Sequence, residues 1–161
     1  MGNQPSENNA VWRHKVMYRL WNSYWLEHIV EVFNRRMDTV INAAILTLGA
    51  TVFADSNFSW LLGGIVAVLS GCNIAWKFGQ RAEAAKAQAH RYSVLISESG
   101  NLSTEDVLNR LLETEKQDSP VIEGMDAVAR NKASASMGLK HRDQLSLPQK
   151  IIALLTVGNP G

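Results

Sequence analysis

Two apolar runs sit back to back in the middle of this chain, and polar, charged sequence flanks them on both sides. Residues 39–54 (TVINAAILTLGATVFA) and 56–76 (SNFSWLLGGIVAVLSGCNIAW) carry no charge; Asp55 alone separates them. A bilayer span takes about 20 apolar residues, range roughly 17–25. The second run meets that length. The first meets it once Met37 extends it and Arg35 and Arg36 snorkel to the headgroups. Hydrocarbon offers no partner to unpaired backbone groups, so two antiparallel helices are the expected solution. The pattern predicts a transmembrane hairpin, about 37–54 and 56–76, turning at Asp55-Ser56-Asn57. The expected fold class is an all-α membrane protein.

The flanks read as helices too. Residues 1–10 are polar and predicted disordered. Residues 11–36 form an aromatic-rich amphipathic helix, with an apolar face at Met17, Trp21, Tyr24, Ile29, Val32 and Phe33. Either this face lies on the membrane surface or it packs on other helices of the chain. Past Trp76 the second span continues into a helical extension, 77–98, rich in alanine. There Phe78, Ala82, Ala85, Ala89, Tyr92 and Ile96 make an a/d stripe. Alanine permits close approach, so the stripe is an assembly seam whose partner is either helix 11–36 or a second copy.

Small helices fill residues 99–161. Ser103-Thr104-Glu105-Asp106 is a capping box with Asp in the last position, opening a helix to about Lys116. Ser119-Pro120 predicts the start of another, with the stripe Ile122, Met125, Ala129, Ala133 and a stop at Gly138. Residues 149–157 (QKIIALLTV) form a short apolar tail. The tail is too short to span, and either rests on the membrane or fills a groove.

Within the spans, Asn42 and Asn73 fall at similar depth. A buried amide needs a partner, so they bond to each other, bond across subunits, or line a wet path with Ser70. Ala43, Thr47, Ala50 and Ala54 form a stripe of small residues on the first span; Gly64, Ala67 and Gly71 form one on the second. Such stripes allow close helix packing and favour a homo-oligomer. Interface anchors are expected at Trp12, Trp21, Trp25, Arg35, Arg36, Trp60, Trp76 and Lys77.

Charge fixes orientation and removes some function classes. Arg19, Arg35 and Arg36 precede the first span, and Lys77, Arg81, Lys86 and Arg91 follow the second, so both termini are expected in the cytoplasm. The first ten residues show no secretory leader. A net charge of +1 gives no basic field for nucleic acid. Cys72 is the single cysteine, and no metal-ligand spacing is present. His14, His28, His90 and His141 are scattered, and neither HExxH, GxSxG nor a phosphate-binding glycine loop occurs. Glu27, Glu31 and Asp38 read as a solvated or lipid-facing charged face. Neither an enzyme nor a cofactor is expected.

The layout resembles the SLATT proteins, bacterial two-transmembrane effectors. The likeness runs from about Arg36 through Tyr92, with Trp76-Lys77-Phe78 at the membrane exit and His90-Arg91-Tyr92 in the following helix. It continues through Asp118-Ser119-Pro120-Val121-Ile122, Asp126 to Asn131, Ala135 to Gly138 and Leu147-Pro148-Gln149-Lys150. The resemblance implies an antiviral effector in the inner membrane that oligomerises and permeabilises it, arresting or killing the cell. No sensor domain is visible, so the trigger is a separate sensor protein or a nucleotide second messenger. Two other classes explain the same hairpin: a non-conducting membrane anchor or scaffold, and a holin-like lysis protein.

Overall fold

The computed structural model describes residues 4–52, 58–140 and 142–158. Among these residues the chain is all-helical. The proposed turn at 55–57, Ala54 and His141 lie outside them.

Helix α1, Gln4–Val52, is one uninterrupted rod of 49 residues, about 73 Å long at the standard rise. The sequence reading divides this stretch into a disordered tail, an amphipathic helix and a span. The structure joins the three. Pro5 sits in the first turn, where a missing amide hydrogen costs nothing, and no later proline or glycine interrupts the rod before Gly49. Helix α2, Ser59–Trp76, returns along the far part of α1. Helix α3, Phe78–Glu98, continues after a break of one residue. Lys77 at that break is left-handed (φ 49°, ψ 46°), the sole non-glycine residue with positive φ among those described. The expected continuous extension is therefore jointed. Lys77 serves both helices: its amide bonds the Asn73 carbonyl to close α2, and its carbonyl accepts the Arg81 amide to open α3, both at 3.0 Å.

A turn of 3-10 helix, Ser99–Asn101, ends α3 and leads to α4, Thr104–Glu115. Ser103 caps α4 by accepting from the Asp106 amide at 3.1 Å. Asp106 is one methylene shorter than the usual Glu, and its carboxylate takes the Ser103 hydroxyl at 2.7 Å. Helix α5, Met125–Ser136, begins five residues later than the Ser119-Pro120 signal predicts. The Ser119 amide is committed to Glu27, and the chain enters α5 through Gly124 at φ 95°. Gly138, at φ 70°, closes α5 as expected. Helix α6, Leu147–Thr156, has Pro148 in its first turn, and the Ser146 amide donates to Gln149 Oε1 at 2.8 Å.

Helices α1, α3, α4, α5 and α6 build a bundle with two core clusters. The far cluster holds Val16 and Leu20 of α1, Tyr92 and Leu95 of α3, and Val107 and Leu111 of α4. The near cluster, closer to the apolar pair, holds Ile29, Val30, Ala85, Met125, Val128, Ala129 and Ala153. Between α1 and α3 the buried positions are Val16, Leu20, Ser23, Glu27, Val30 and Asn34 facing Ala82, Ala85, Ala89 and Tyr92. On each helix the spacing alternates between four and three, a coiled-coil register.

This register selects between two sequence expectations and corrects a third. The alanine stripe is consumed inside the chain: Ala82, Ala85, Ala89 and Tyr92 are buried, and Ile96 packs on the far cluster. It therefore does not serve as a seam between copies. On α1 the deepest face is shifted from the aromatic one. Three of its six positions are polar, so a search for apolar periodicity passes over it. The aromatic residues flank it: Trp12 packs on the far cluster, and Trp25 packs on the near one and donates to Ser136 Oγ at 2.8 Å. Those two rings cover the bundle core instead of standing free as interface anchors. Trp21 meets Tyr24 edge-on at 5.9 Å.

Candidate functional site: an apolar helix pair and the polar joint beneath it

Beyond Asp38 the far part of α1 and the whole of α2 leave the bundle as a pair. None of the α2 residues is buried. Trp60, Val68 and Ile74 are 78%, 66% and 75% exposed, and Val40 and Leu46 on α1 are 63% and 76%. Among the described residues one helical stretch, Ser59–Asn101, is long and apolar enough to cross a bilayer.

The pair meets through bulky residues. Ile41, Ile45 and Leu48 on α1, and Leu62, Val66 and Leu69 on α2, are half-buried. Ser70 is half-buried as well. Both stripes of small residues turn away from this contact. Ala43, Thr47 and Ala50 are exposed on α1, and so are Gly64, Ala67 and Gly71 on α2. A methyl group added at Gly64 or Gly71 would meet nothing within 4 Å. Beside Gly64, a shallow apolar groove of about 390 Å³ is lined by Trp60, Leu61, Gly64, Ile65, Val68 and Leu69.

At the base of the pair the two amides join. Asn73 Nδ2 donates to Asn42 Oδ1 at 2.9 Å. Of the partners open to them, each has the other. One turn below, Asp38 lies against α3, its carboxylate 3.5 Å from where a Cβ at Gly79 would stand. The α3 cap residue, Lys77, supplies no side-chain hydrogen bond. A carboxylate beside the free amides of a helix N-terminus complements their partial positive charge, so Asp38 steadies the joint from the neighbouring helix. Arg35 pairs with Glu31 at 3.0 Å and with Glu83 at 3.2 Å, tying α1 to α3 just below. Exposed Trp76 and Lys77 border the joint, and Arg36 is exposed one turn away on α1.

Deeper in the bundle is a polar cluster that the sequence did not reveal. Glu27, read from sequence as a solvated charge, is 2% exposed. The connector between α4 and α5 covers it, and Oε1 accepts the Ser119 amide at 2.6 Å while Oε2 has no partner. Beside it, Asp118 Oδ1 accepts the Tyr92 hydroxyl at 2.5 Å and Gln88 Nε2 at 2.8 Å. Gln88 also donates to the Thr114 carbonyl at 2.5 Å. A cavity of about 210 Å³ opens next to the cluster, lined in part by Asn34, Arg81, Asp118 and Ser119. The one available signal was positional. Glu27 and Asn34 continue the four-three spacing set by Val16 and Leu20.

Burial pushes the Glu27 carboxyl above its ordinary range, the Ser119 hydrogen bonds pull it back, and the negative Asp118 raises it further. Burial, then the bond to Asp118, pushes the Tyr92 phenol upward. For Glu27 a raised folded-state value means that the folded chain holds the proton more tightly than the unfolded chain. Its stability contribution is therefore greatest below the unfolded value. It is lost as pH rises from there through the raised folded value. Glu27→Gln keeps an acceptor for Ser119 and removes the ionisation. The expected result is a thermal midpoint above wild type at neutral pH, with the gap closing in acid. Melting both proteins across that pH range by circular dichroism checks it.

Among the described residues no group of His, Cys, Asp and Glu could hold a metal ion. No family model, curated protein or solved structure matches the chain.

Proposed function

We propose that this chain is a membrane effector of the SLATT type. In this reading, residues 37–54 and 56–76 cross the bacterial inner membrane as a hairpin with both termini inside, and copies associate in the membrane and permeabilise it. The observation that carries the reading is the apolar surface of α2, a helix with no buried residue. At about 25 cal/mol for each Å² of apolar surface, exposing that face to water is costly, and a bilayer or neighbouring helices relieve it. The outward small-residue stripes supply the faces for association, since the alanine seam is already filled within the chain. Small residues on lipid-facing helices let backbones approach closely.

A second reading, a non-conducting anchor, has an observation of its own. Asn42 and Asn73 satisfy one another, which ties the hairpin without need of a water-filled path. Membrane potential separates the two. An effector active on expression depolarises bacterial cells within minutes of induction, read with a voltage-sensitive dye, and Gly71→Leu and Asn73→Leu abolish the signal while still inserting. An unchanged potential at good membrane expression, with and without a co-expressed sensor, supports the anchor.

A further inference from the structure

We propose that α6 is an in-plane membrane anchor, its outer face seated among anionic lipid headgroups beside the hairpin. This inference rests on the membrane reading above and adds a second contact to it. Leu147, Ile151, Leu154 and Leu155 are 77%, 58%, 63% and 43% exposed. Their spacing of four, three and one places them on one side of the helix. The opposite side is already used: Ala153 and Thr156 are buried, and Ile152 packs on the near core cluster. Helix α6 is thus apolar on both sides, with no acidic residue. At ten residues it is too short to cross a bilayer but long enough to lie in its surface.

Two observations select the bilayer as the occupant. The first is place. Ala153 and Ile152 pack in the cluster that includes Ile29, Val30 and Phe33. Phe33 is six residues before Thr39, about 9 Å along the rod. So α6 docks at the end of the bundle from which the apolar pair emerges. The second is charge. Arg36, Lys77, Arg81 and Lys150 are exposed and have no ion-pair partner among the described residues. Asp38 and Glu123 are the acidic residues without an ion pair beside the joint and α6, so these four cations leave this end net positive, where a second copy would bring its own cations. Anionic headgroups complement both the cations and the apolar face.

The test uses the full chain with Cys72→Ser, reconstituted in vesicles of phosphatidylglycerol and phosphatidylethanolamine. Single cysteines at Ile151, Leu154, Val68 or Asn109 carry an environment-sensitive fluorophore, and some lipids carry bromine high on the acyl chain. The expected result is loss of fluorescence at 151, 154 and 68, with none at 109 on the far end of the bundle. The loss at 151 and 154, not at 68, is expected to shrink in phosphatidylcholine vesicles; undiminished loss there overturns the headgroup assignment. Quenching at 68 without quenching at 151 and 154 overturns the α6 anchor and leaves the hairpin standing. Quenching at none of them overturns the membrane reading itself. Cross-linking between copies through 151 or 154, without lipid quenching, assigns the face to a second copy and overturns the proposal.

Discussion

Ala85→Glu lowers the melting temperature of the bundle sharply, further than any surface substitution. Ala85 is fully buried in the near cluster, where α1, α3 and α5 converge on Ile29, Val30 and Met125. A glutamate there has no partner, and stranding an uncompensated charge in a packed interior costs about 3–5 kcal/mol. That is a large part of the about 5–15 kcal/mol that holds a typical domain together. Circular dichroism melts of the full chain in detergent check it, with Ala85→Ser as the volume-matched control expected to melt close to wild type. Loss of activity in Ala85→Glu alone would then report lost folding, not a broken contact between copies. Surfaces for association are to be sought on the exposed stripes of the apolar pair, where a Cβ added at Gly64 or Gly71 meets nothing within 4 Å in the monomer.

Tyr92→Ala has an effect of similar size, about 3–5 kcal/mol by analogy with other large-to-small aromatic replacements. Tyr92 is the largest fully buried side chain, wedged between Leu20, Leu95 and Leu111. Its hydroxyl also holds Asp118, and through Asp118 the connector that covers Glu27. Tyr92→Phe isolates that second role. The ring stays and one charge-assisted hydrogen bond goes, for about 1.5 kcal/mol. Because Gln88 still donates to Asp118, the connector is expected to loosen without the bundle melting. Hydrogen exchange at Ser119 should quicken in Tyr92→Phe while amides near Leu20 stay protected. Uniform quickening across the bundle would show that the hydroxyl contributes to global stability and does not act locally on the connector.

Local signals in the sequence located most helices. The Ser103 cap and the Gly138 stop depend on a few neighbouring residues and act as their types predict, and the apolar runs are helical over 39–52 and 59–76. Long-range packing was less legible. The alanine stripe on α3 was readable, but an alanine seam fits any close partner, and only the fold assigns it to α1. The deepest face of α1 was hidden because Ser23, Glu27 and Asn34 interrupt it. The burial of Glu27 depends on Ser119, which arrives from 92 residues away. Glu27 also holds the Ser119 amide at the point where the sequence signal opens a helix, and α5 instead begins at Met125, after Gly124. At the apolar pair the small stripes were visible, but not their direction. Half-burial of Ile41, Ile45 and Leu48 is what turns them outward.

The unbroken α1 rod has a mechanical consequence. One side of the neck between bundle and apolar pair is a stiff strut, and the other side bends at Lys77. A tilt of about 5° around the middle of a rod about 73 Å long moves each end by roughly 3 Å in opposite directions. A sideways push on the bundle end of such a rod would reach the Val52 end as a lever stroke, and the joint at Lys77 is where the path from α2 to α3 would bend.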